Sequence, residues 1–354
     1  MVAGTRRRAH ERRRAVSLTV TDPGTIDRLR AVFERTVRPL ILTHDNPDPD
    51  ALASAFALRA LIHHLTGTNA TIAFSGMIGR AENRAMVRGL GIAPEPLSTL
   101  DLSTYDALAL VDAQPGTGNS SLPQDCALVA VIDHHPLRFD PEPVSFVDVR
   151  EHYGATATML TEYAVTANLA LDSTVATALF YAIKSETQDL GREASQADRS
   201  AYLGLLTQAD MRLVARIHRA RVSRQYFRAY HDAIERAEIV GKVVITDLGV
   251  VASPDMVAEI ADFLLRLRGT DWSCCLGRHH DTVAVSLRTT DPNAHAGRII
   301  RSVTRELGSA GGHGAMAGGQ IPLAGSTYED TVAEIRSRLL EQLGEPDSGG
   351  EPLV

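Results

Sequence analysis

The sequence contains little cysteine and little lysine, and it has no long apolar run. Three cysteines occur in 354 residues, and Cys274 and Cys275 are adjacent, so the sequence has neither a disulfide framework nor the spacing of a structural zinc site. Because no run of about 18 apolar residues occurs, we expect no membrane-spanning helix. These absences favour a soluble protein of the reducing cytoplasm.

The chain has fewer basic than acidic residues. The net charge is −7, and the only lysines are Lys184 and Lys242, which argues against an extended nucleic-acid-binding surface and favours a short substrate held at its end. The exception is local, because arginine triplets at residues 6–8 and 12–14 precede the first predicted element. We expect residues 1–20 to form a disordered basic tail, with weak attraction to nucleic acid as the alternative.

The most informative motif follows an apolar segment in the middle of the chain. Residues 126–132 predict a buried strand, and Asp133-His134-His135 comes where that strand ends. Adjacent carboxylate and imidazole groups at a strand end are typical of a transition-metal site. The alternative is a strand-end turn with two solvated histidines, and the motif alone does not decide between them.

A second polar cluster follows another short strand. Residues 40–43 predict a buried strand and residues 51–65 a helix, with His44, Asp48 and Asp50 between them. Helix capping accounts for the two acids, because Asp48 suits the N-cap position and Asp50 favours the positive end of the helix dipole. Capping does not require His44, so a metal-ligand role for the cluster stays open.

A third strand, residues 106–111, ends at Asp112. Hydrophobic strands that release acids or histidines at their carboxyl ends predict a parallel α/β sheet with a site at that edge. Such a set suits two divalent cations about 3.5–4 Å apart, which lower the pKa of a water and stabilise charge on a phosphoryl group. Oxygen and imidazole ligands without thiolate favour Mn²⁺ or Mg²⁺ over structural Zn²⁺.

In chain order, these three motifs resemble those of the DHH phosphoesterase family, most of all its NrnA-type branch of oligoribonucleases and phosphoadenosine phosphatases. The resemblance implies two metal ions that share one bridging carboxylate. The five implied ligands are His44 and Asp48 on the first ion, Asp50 and His134 on the second, and Asp112 between the two.

The same resemblance implies further site residues. Asp133 and His135 are expected to act as catalytic groups in or beside the ligand shell, with His135 touching the scissile phosphate. The fourth family motif has an acid after a buried run, and in residues 180–187 that acid is Glu186, where aspartate is usual. Glu186 is the expected metal ligand. The alternative is that Asp189 binds the metal and Glu186 only caps a helix.

Two C-terminal segments resemble the DHH-associated domain of that family. Residues 309–319 resemble its glycine-rich loop, in which successive backbone amides close on an anion, and a flexible connector is the alternative. Residues 283–289 predict a strand, near the end of which an arginine matches one that contacts substrate phosphate or base in the family. The residues implied to bind substrate are Arg288, Gly311, Gly312 and His313.

Length and pattern together predict two α/β domains. We expect a doubly wound, mostly parallel DHH domain with the two-metal site over residues 21–200, a connecting helix over 201–237, a smaller α/β DHH-associated substrate-binding domain over 238–343, and a loose tail over 344–354. The active site is expected in the cleft between the domains.

The resemblance implies a Mn²⁺- or Mg²⁺-dependent phosphodiesterase that hydrolyses short oligoribonucleotides or linear dinucleotides to 5′-mononucleotides, with 3′-phosphoadenosine 5′-phosphate as a further substrate. The alternatives are an inorganic pyrophosphatase-like hydrolase and a catalytically silent nucleotide sensor. We expect two cations, no organic cofactor and no membrane partner, and a homodimer stays open.

Overall fold

The computed structural model describes residues 19–122, 126–291, 293–347 and 349–354, and for His313 only the backbone. Apart from Thr19 and Val20, the predicted basic tail lies outside the described residues. No described helix combines the length and the apolar content that crossing a membrane requires.

The chain divides into two compact units. The first consists of residues up to 78 together with 82–220, and the second of residues 79–81 together with 221–354.

The first unit alternates short buried strands with helices. Buried runs such as Pro39–Leu42 and Ala107–Val111 are apolar throughout, as in strands that are covered on both faces. Its elements are α1 (Pro23–Phe33), β1 (Pro39–Leu42), α2 (Pro49–Thr66), β2 (Thr71–Phe74), α3 (Ala81–Leu90), β3 (Glu95–Pro96), β4 (Ala107–Val111), β5 (Leu128–Asp133), β6 (Phe146–Val149), α4 (Thr156–Thr166), α5 (Ser173–Glu186), α6 (Gln196–Leu206) and α7 (Met211–His218).

The six strands of this unit form one parallel sheet in the order β3-β2-β1-β4-β5-β6. This is the strand order of doubly wound α/β folds, and it reverses direction between β1 and β4. The carboxyl ends of β1 and β4 therefore flank the crevice at the switch point, and β5 lies next to β4. The predicted parallel α/β architecture is confirmed.

The two faces of the sheet are covered differently. On one face, residues such as Ile41 and Ala109 pack in a core with α2, α4 and α5. On the other, Leu40 and Leu110 pack against residues from loops and 3₁₀ turns, among them Phe139. The described connections from β3 to β6 contain no α-helix, so this face lacks the helical layer of a fully doubly wound sheet.

Local sequence explains why α2 begins at the sheet edge. Asp48 is its N-cap and accepts hydrogen bonds from the backbone amides of Asp50 and Ala51 at 2.8 and 3.0 Å. Pro49 occupies the first helical turn, where its missing amide is no loss. Gly67 ends the helix with a φ of +78°, which favours glycine.

The second unit is built on a seven-stranded sheet in the order β11-β12-β10-β9-β8-β7-β13, in which only β8 and β9 pair in parallel. Its elements are α8 (Arg224–Arg236), β7 (Glu238–Val240), β8 (Val243–Val250), α9 (Asp255–Leu264), β9 (Trp272–His279), β10 (Thr282–Thr289), α10 (Ala296–Val303), β11 (Ser309–His313), β12 (Met316–Pro322), α11 (Tyr328–Leu343) and β13 (Glu351–Pro352).

Two segments differ from the sequence-based expectation. Residues 201–237 are not one connecting helix: they contain the end of α6 and all of α7 and α8, and Asp210 and Ser223 cap the two new helices. Residues 344–354 are not a loose tail throughout, because β13 pairs with β7. That pairing satisfies backbone groups that β7 would otherwise leave open at the sheet edge.

Candidate metal centre

The residues predicted as metal ligands gather at the carboxyl edge of the parallel sheet. His44 follows β1, Asp112 follows β4, and Asp133 is the last residue of β5. Asp48 and Asp50 lie at the beginning of α2, which starts from the same edge. The chain thus brings together acids and histidines that are far apart in sequence.

Asp112 is shared by two groups of donor atoms. Its Oδ2 lies 3.6 Å from His44 Nε2, which is 3.8 Å from Asp48 Oδ1. Its Oδ1 lies 3.7 Å from His134 Nε2, which is 4.0 Å from Asp50 Oδ2. The two oxygens of one carboxylate therefore face different histidines.

These separations suit cations better than hydrogen bonds. Distances of 3.6–4.0 Å between the donor atoms exceed the hydrogen-bond range, which ends near about 3.2 Å. Two ligands that are each about 2.1 Å from one ion lie within about 4.2 Å of each other. The donor atoms form two groups, of which the first is His44, Asp48 and Asp112 and the second is Asp112, His134 and His135. Within each group, one ligand atom from every residue lies within 4.8 Å of the others.

Backbone carbonyls orient His44 and His134. His44 Nδ1 lies 2.8 Å from the carbonyl oxygen of Asp45, and His134 Nδ1 lies 3.0 Å from that of Tyr153. A carbonyl oxygen only accepts, so Nδ1 donates there and Nε2 faces the carboxylates. Burial disfavours the charged imidazoles, but the neighbouring acids outweigh it and raise the pKa of His44 to about 10 and of His134 to about 9.

Asp112 is held in an uncommon backbone conformation. Its φ of +56° lies in the left-handed region, which residues other than glycine rarely adopt. Its amide donates to the carbonyl of Ile132 at 2.9 Å, and the hydroxyl of Thr156 donates to its Oδ1 at 2.9 Å. Burial, followed by the charge of Asp48, raises the pKa of Asp112. Backbone strain at a buried acid is typical of functional positions.

Asp50 caps a helix other than the one that contains it. Its carboxylate oxygens accept hydrogen bonds from the amides of Thr156 at 2.7 Å and Ala157 at 2.8 Å, the first residues of α4. The N-cap residue of α4, Ala155, provides no side-chain acceptor. Asp50 therefore stabilises the positive end of α4, and burial together with Asp112 raises its pKa. Sequence analysis missed this contact because its partners are more than 100 residues apart.

Asp133 holds the ring of His135. Its Oδ1 accepts from His135 Nδ1 at 2.9 Å, and its Oδ2 accepts from Gln114 Nε2 at 2.7 Å. Burial disfavours the carboxylate, but these hydrogen bonds outweigh it and lower the pKa of Asp133 to about 2. His135 Nδ1 lies 3.9 Å from Asp112 Oδ1, and its side chain is partly exposed. The imidazole of His135 thus lies between the buried acids and the surface.

Of the two acids considered for the fourth motif, Glu186 lies with the cluster. It is the last residue of α5, and its pKa is raised by burial and then by the charge of Asp48, so these carboxylates are near enough to repel. Asp189 is 58% exposed and pairs with Lys184 at 2.5 Å, and its other oxygen accepts from the hydroxyl of Tyr202 at 3.2 Å. Neither of these contacts involves a residue of the cluster.

Arg192 contacts Glu186 and was not identified from the sequence. Its Nη2 donates to Glu186 Oε1 at 2.8 Å and to the Glu186 carbonyl at 2.5 Å. The intervening residues Gln188, Asp189 and Leu190 all have left-handed φ values, between +47° and +67°. This turn brings the guanidinium back over the end of α5, where a cation offsets the negative end of the helix dipole.

A partly buried ion cluster supports the carbonyl that orients His134. Arg150 pairs with Asp148 at 2.6 Å and with Glu162 at 2.8 Å, and the hydroxyl of Tyr153 donates to Glu162 at 3.0 Å. The backbone of Tyr153 also donates to the carbonyl of Arg150 at 3.0 Å. These contacts hold the turn between β6 and α4 that provides the Tyr153 carbonyl to His134.

Arg288, predicted to bind substrate, lies in β10 of the second unit and is almost fully buried. Its Nε donates to Asp262 Oδ1 at 2.5 Å, and its Nη1 donates to the carbonyls of Leu287 and Ala317, each at 3.0 Å. Three hydrogen bonds thus fix the guanidinium within its own unit.

The glycine-rich segment, expected to be a loop, forms the hairpin β11–β12. Gly312 has a φ of +152°, and a Cβ there would lie 2.3 Å from the carbonyl oxygen of Met316, so the position requires glycine. Gly311 has open space where a Cβ would be. His313 pairs with Met316 in the strand register, and its side chain lies outside the described part of the structure.

Two family models match successive parts of the chain. One, described as DHH family, N-terminal domain, matches residues 38–183, and the other, described as DHHA1 domain, matches residues 240–345. The uncharacterized protein MJ1633 of Methanocaldococcus jannaschii is 32% identical over 321 residues, which cover 88% of this chain and 65% of that protein. The cyclic-di-AMP phosphodiesterase GdpP of Geobacillus thermodenitrificans is 25% identical over 355 residues, which cover 92% of this chain and 50% of that protein.

This chain therefore spans 65% and 50% of the lengths of these two relatives. The crystal structure of an exopolyphosphatase-related protein from Bacteroides fragilis is similar with a TM-score of 0.70 at 14% identity, over 92% of this chain and 98% of that chain. At this identity the similarity shows a common fold. Sequence motifs, sheet order and domain matches agree: the chain belongs to the DHH family, with a DHH N-terminal domain followed by a DHHA1 domain.

Proposed function

We propose that this protein is a divalent-metal-dependent phosphodiesterase that hydrolyses short oligoribonucleotides or linear dinucleotides to 5′-mononucleotides. The observation that carries the proposal is the Asp112 carboxylate, whose two oxygens face separate groups of imidazole and carboxylate donors. A carboxylate between two cations is the arrangement on which two-metal hydrolysis of phosphoesters depends.

The proposed ligands are His44, His134 and the carboxylates around them. Each of these two histidines has its Nδ1 on a carbonyl, which leaves Nε2 for a cation. Carboxylate oxygen and imidazole nitrogen without thiolate fit Mn²⁺, with Mg²⁺ as the alternative. When bound, such a pair of ions lowers the pKa of a water and stabilises charge on a phosphoryl group. The assignment is His44 and Asp48 to the first ion, Asp50, His134 and Glu186 to the second, and Asp112 to both.

Asp133 and His135 form the proposed catalytic pair. Asp133 accepts from Nδ1 of His135 and so fixes the ring, leaving Nε2 to donate to an oxygen of the scissile phosphate. Burial disfavours the imidazolium, but the hydrogen bond to Asp133 raises the pKa of His135. The raised pKa favours the doubly protonated ring that this donation needs.

Two features support a nucleotide substrate. The DHHA1 domain provides the buried cation Arg288 and the glycine-rich hairpin with Gly311, Gly312 and His313, and a guanidinium and backbone amides suit phosphate. The relative GdpP is named as a phosphodiesterase of a cyclic dinucleotide, which contains the same kind of bond as a linear dinucleotide. The phosphate on the ribose of 3′-phosphoadenosine 5′-phosphate makes that compound a further candidate.

The test is hydrolysis by the purified chain, with Mn²⁺ or Mg²⁺, of diadenylate, 3′-phosphoadenosine 5′-phosphate and pyrophosphate in parallel. We expect metal-dependent release of AMP from diadenylate, which EDTA abolishes. Asp140→Asn, which changes an exposed acid, is the matched control for carboxylate variants of the cluster. Turnover of pyrophosphate alone would replace the proposal with a pyrophosphatase, and nucleotide binding without turnover of any compound would replace it with a sensor.

A further inference from the structure

Four aromatic side chains form a continuous row in the second unit. Tyr226, Phe227 and Tyr230 lie on α8, and Phe263 lies on α9. Ring centroids are 6.3 Å apart for Tyr226 and Phe227, 4.7 Å for Tyr226 and Tyr230, and 5.3 Å for Tyr230 and Phe263. These four residues are the aromatic strip. Aromatic residues make up only 5% of the chain, so composition alone does not explain the row.

Both ends of the aromatic strip are exposed to solvent. Phe227 is 68% exposed and Phe263 is 38% exposed. Burial of a phenylalanine stabilises a fold strongly, and most of this contribution is absent at Phe227. Stability of the unit therefore does not account for its position, and adjoining exposed rings indicate a binding surface.

Internal hydrogen bonds fix the middle of the aromatic strip. The hydroxyl of Tyr226 donates to Glu259 Oε2 at 2.7 Å and lies 2.9 Å from the hydroxyl of Tyr230. Because these rings are already held in place, a ligand that stacks on them immobilises little additional side-chain freedom.

Exposed arginines lie beside both phenylalanines. Arg224 is one helical turn before Phe227 on the same face of α8, and Arg228 follows Phe227 directly. Arg266 is one turn beyond Phe263, and its amide donates to the carbonyl of Phe263 at 3.2 Å. The exposed acids of α8 lie on its C-terminal half, where they pair with a histidine. The ends of the strip thus combine a ring with positive charge.

The strip also adjoins the arginine proposed to bind substrate. Phe263 follows Asp262 in α9, and Asp262 holds Arg288 through a 2.5 Å hydrogen bond. The chain thus connects the strip to Arg288 through a single residue, Asp262.

We infer that the aromatic strip binds a single-stranded oligonucleotide, with bases stacked on the exposed rings and backbone phosphates at Arg224, Arg228 and Arg266. Every base has a face that stacks on an aromatic ring, so such a surface accepts many sequences. This inference rests on the proposed function for its substrate class. It adds that the protein prefers substrates longer than a dinucleotide.

The test measures binding of a fluorescein-labelled heptaribonucleotide and of a labelled diribonucleotide to the full chain by anisotropy, in EDTA so that no hydrolysis occurs. Phe227→Ala and Phe227→Leu should each weaken heptamer binding by about 5- to 100-fold, since one stacked base is lost. Phe227→Trp, which keeps an aromatic ring, should bind the heptamer like the wild type. The loss should be smaller for the dinucleotide. Val250→Ala, which alters another exposed apolar side chain of this unit, should bind like the wild type.

Three results would overturn the inference. Unchanged heptamer affinity in Phe227→Ala would show that no base stacks there. Full heptamer affinity in Phe227→Leu would show that binding does not depend on stacking at this ring. A change of oligomeric state in Phe227→Ala by analytical ultracentrifugation would identify the strip as an apolar contact between copies of the chain. Because the binding assay contains no metal, its outcome is independent of whether the metal centre hydrolyses phosphodiesters.

Discussion

At the scale of single residues, the metal centre concentrates acids that oppose one another. Burial comes first among the causes that raise the pKa values of Asp50, Asp112 and Glu186, and the neighbouring carboxylates add to it. Without a cation, protons on His44 and His134 offset this repulsion. A divalent ion would supply the same compensation at the same atoms.

The identity of the metal-binding acid in the fourth family motif can be tested by removing one charge at a time. Glu186→Gln keeps the size of the side chain and loses its charge, so we expect Mn²⁺ affinity for the second site to fall at least about tenfold. Asp189→Asn should change it little, because Asp189 pairs with Lys184 at the surface. Calorimetric titration with Mn²⁺ distinguishes the two assignments. A lower Mn²⁺ affinity in Asp189→Asn together with an unchanged affinity in Glu186→Gln would make Asp189 the ligand.

Arg192 should act through Glu186. Arg192→Met removes the two hydrogen bonds to Glu186, and loss of a partner of a metal ligand typically weakens metal affinity by about 10- to 100-fold. Arg192→Lys should recover part of it by restoring the charge. Lys184→Met is the matched control, because it loosens the same turn through Asp189 without touching Glu186. Equal loss in Arg192→Met and Lys184→Met would mean that only the turn matters.

At the scale of elements, local sequence was informative where contacts are local. The strand ends at His44, Asp112 and Asp133 were predictable, because short apolar runs end in polar residues there. The capping of α4 by Asp50 was not, since it joins residues that are far apart in the chain. The helix breaks at Asp210 and Ser223 were missed because neither glycine nor proline separates the helices there. The pairing of β13 with β7 was missed because it involves only two residues per strand.

The turn between β6 and α4 gives a prediction about stability. Arg150→Met leaves the carboxylates of Asp148 and Glu162 without their cation, and breaking a fully buried ion pair costs roughly 3–5 kcal/mol. Because the cluster is partly exposed, urea unfolding in EDTA should show that the free energy of unfolding falls by about 3 kcal/mol, the lower end of this range. The exposed Arg138→Met is the control, with an expected change within about 0.5 kcal/mol. A similar urea midpoint in both variants would show that the ion cluster contributes little to the stability of the fold.

At the scale of the whole molecule, proton and metal binding are linked. With pKa values raised from 6.5 to about 10 and about 9, His44 and His134 are protonated at neutral pH in the cation-free protein. Their contribution to stability is therefore fully present below about pH 6.5 and is lost as the pH rises through the range of about 9 to 10. A cation must displace these protons from Nε2.

Mn²⁺ affinity should consequently rise with pH. Displacement of one proton at each site predicts that the affinity for each ion rises by up to about tenfold per pH unit between neutral pH and about pH 9. Competition with a fluorescent chelator measures the affinity, and calorimetry in two buffers of different ionisation enthalpy measures the protons released. An affinity that is constant from pH 7 to 9, without proton release, would mean that the histidines are not ligands.

The most direct test of the account is whether two cations share the Asp112 carboxylate. Electron paramagnetic resonance of the protein titrated with Mn²⁺ should show two equivalents bound and a spin-coupled spectrum. Asp112→Asn keeps a residue type that tolerates the left-handed backbone, so the fold should persist while the coupling disappears and hydrolysis falls by orders of magnitude. A wild-type spectrum of one uncoupled Mn²⁺ per chain, or coupling that survives in Asp112→Asn, would contradict the shared-carboxylate site.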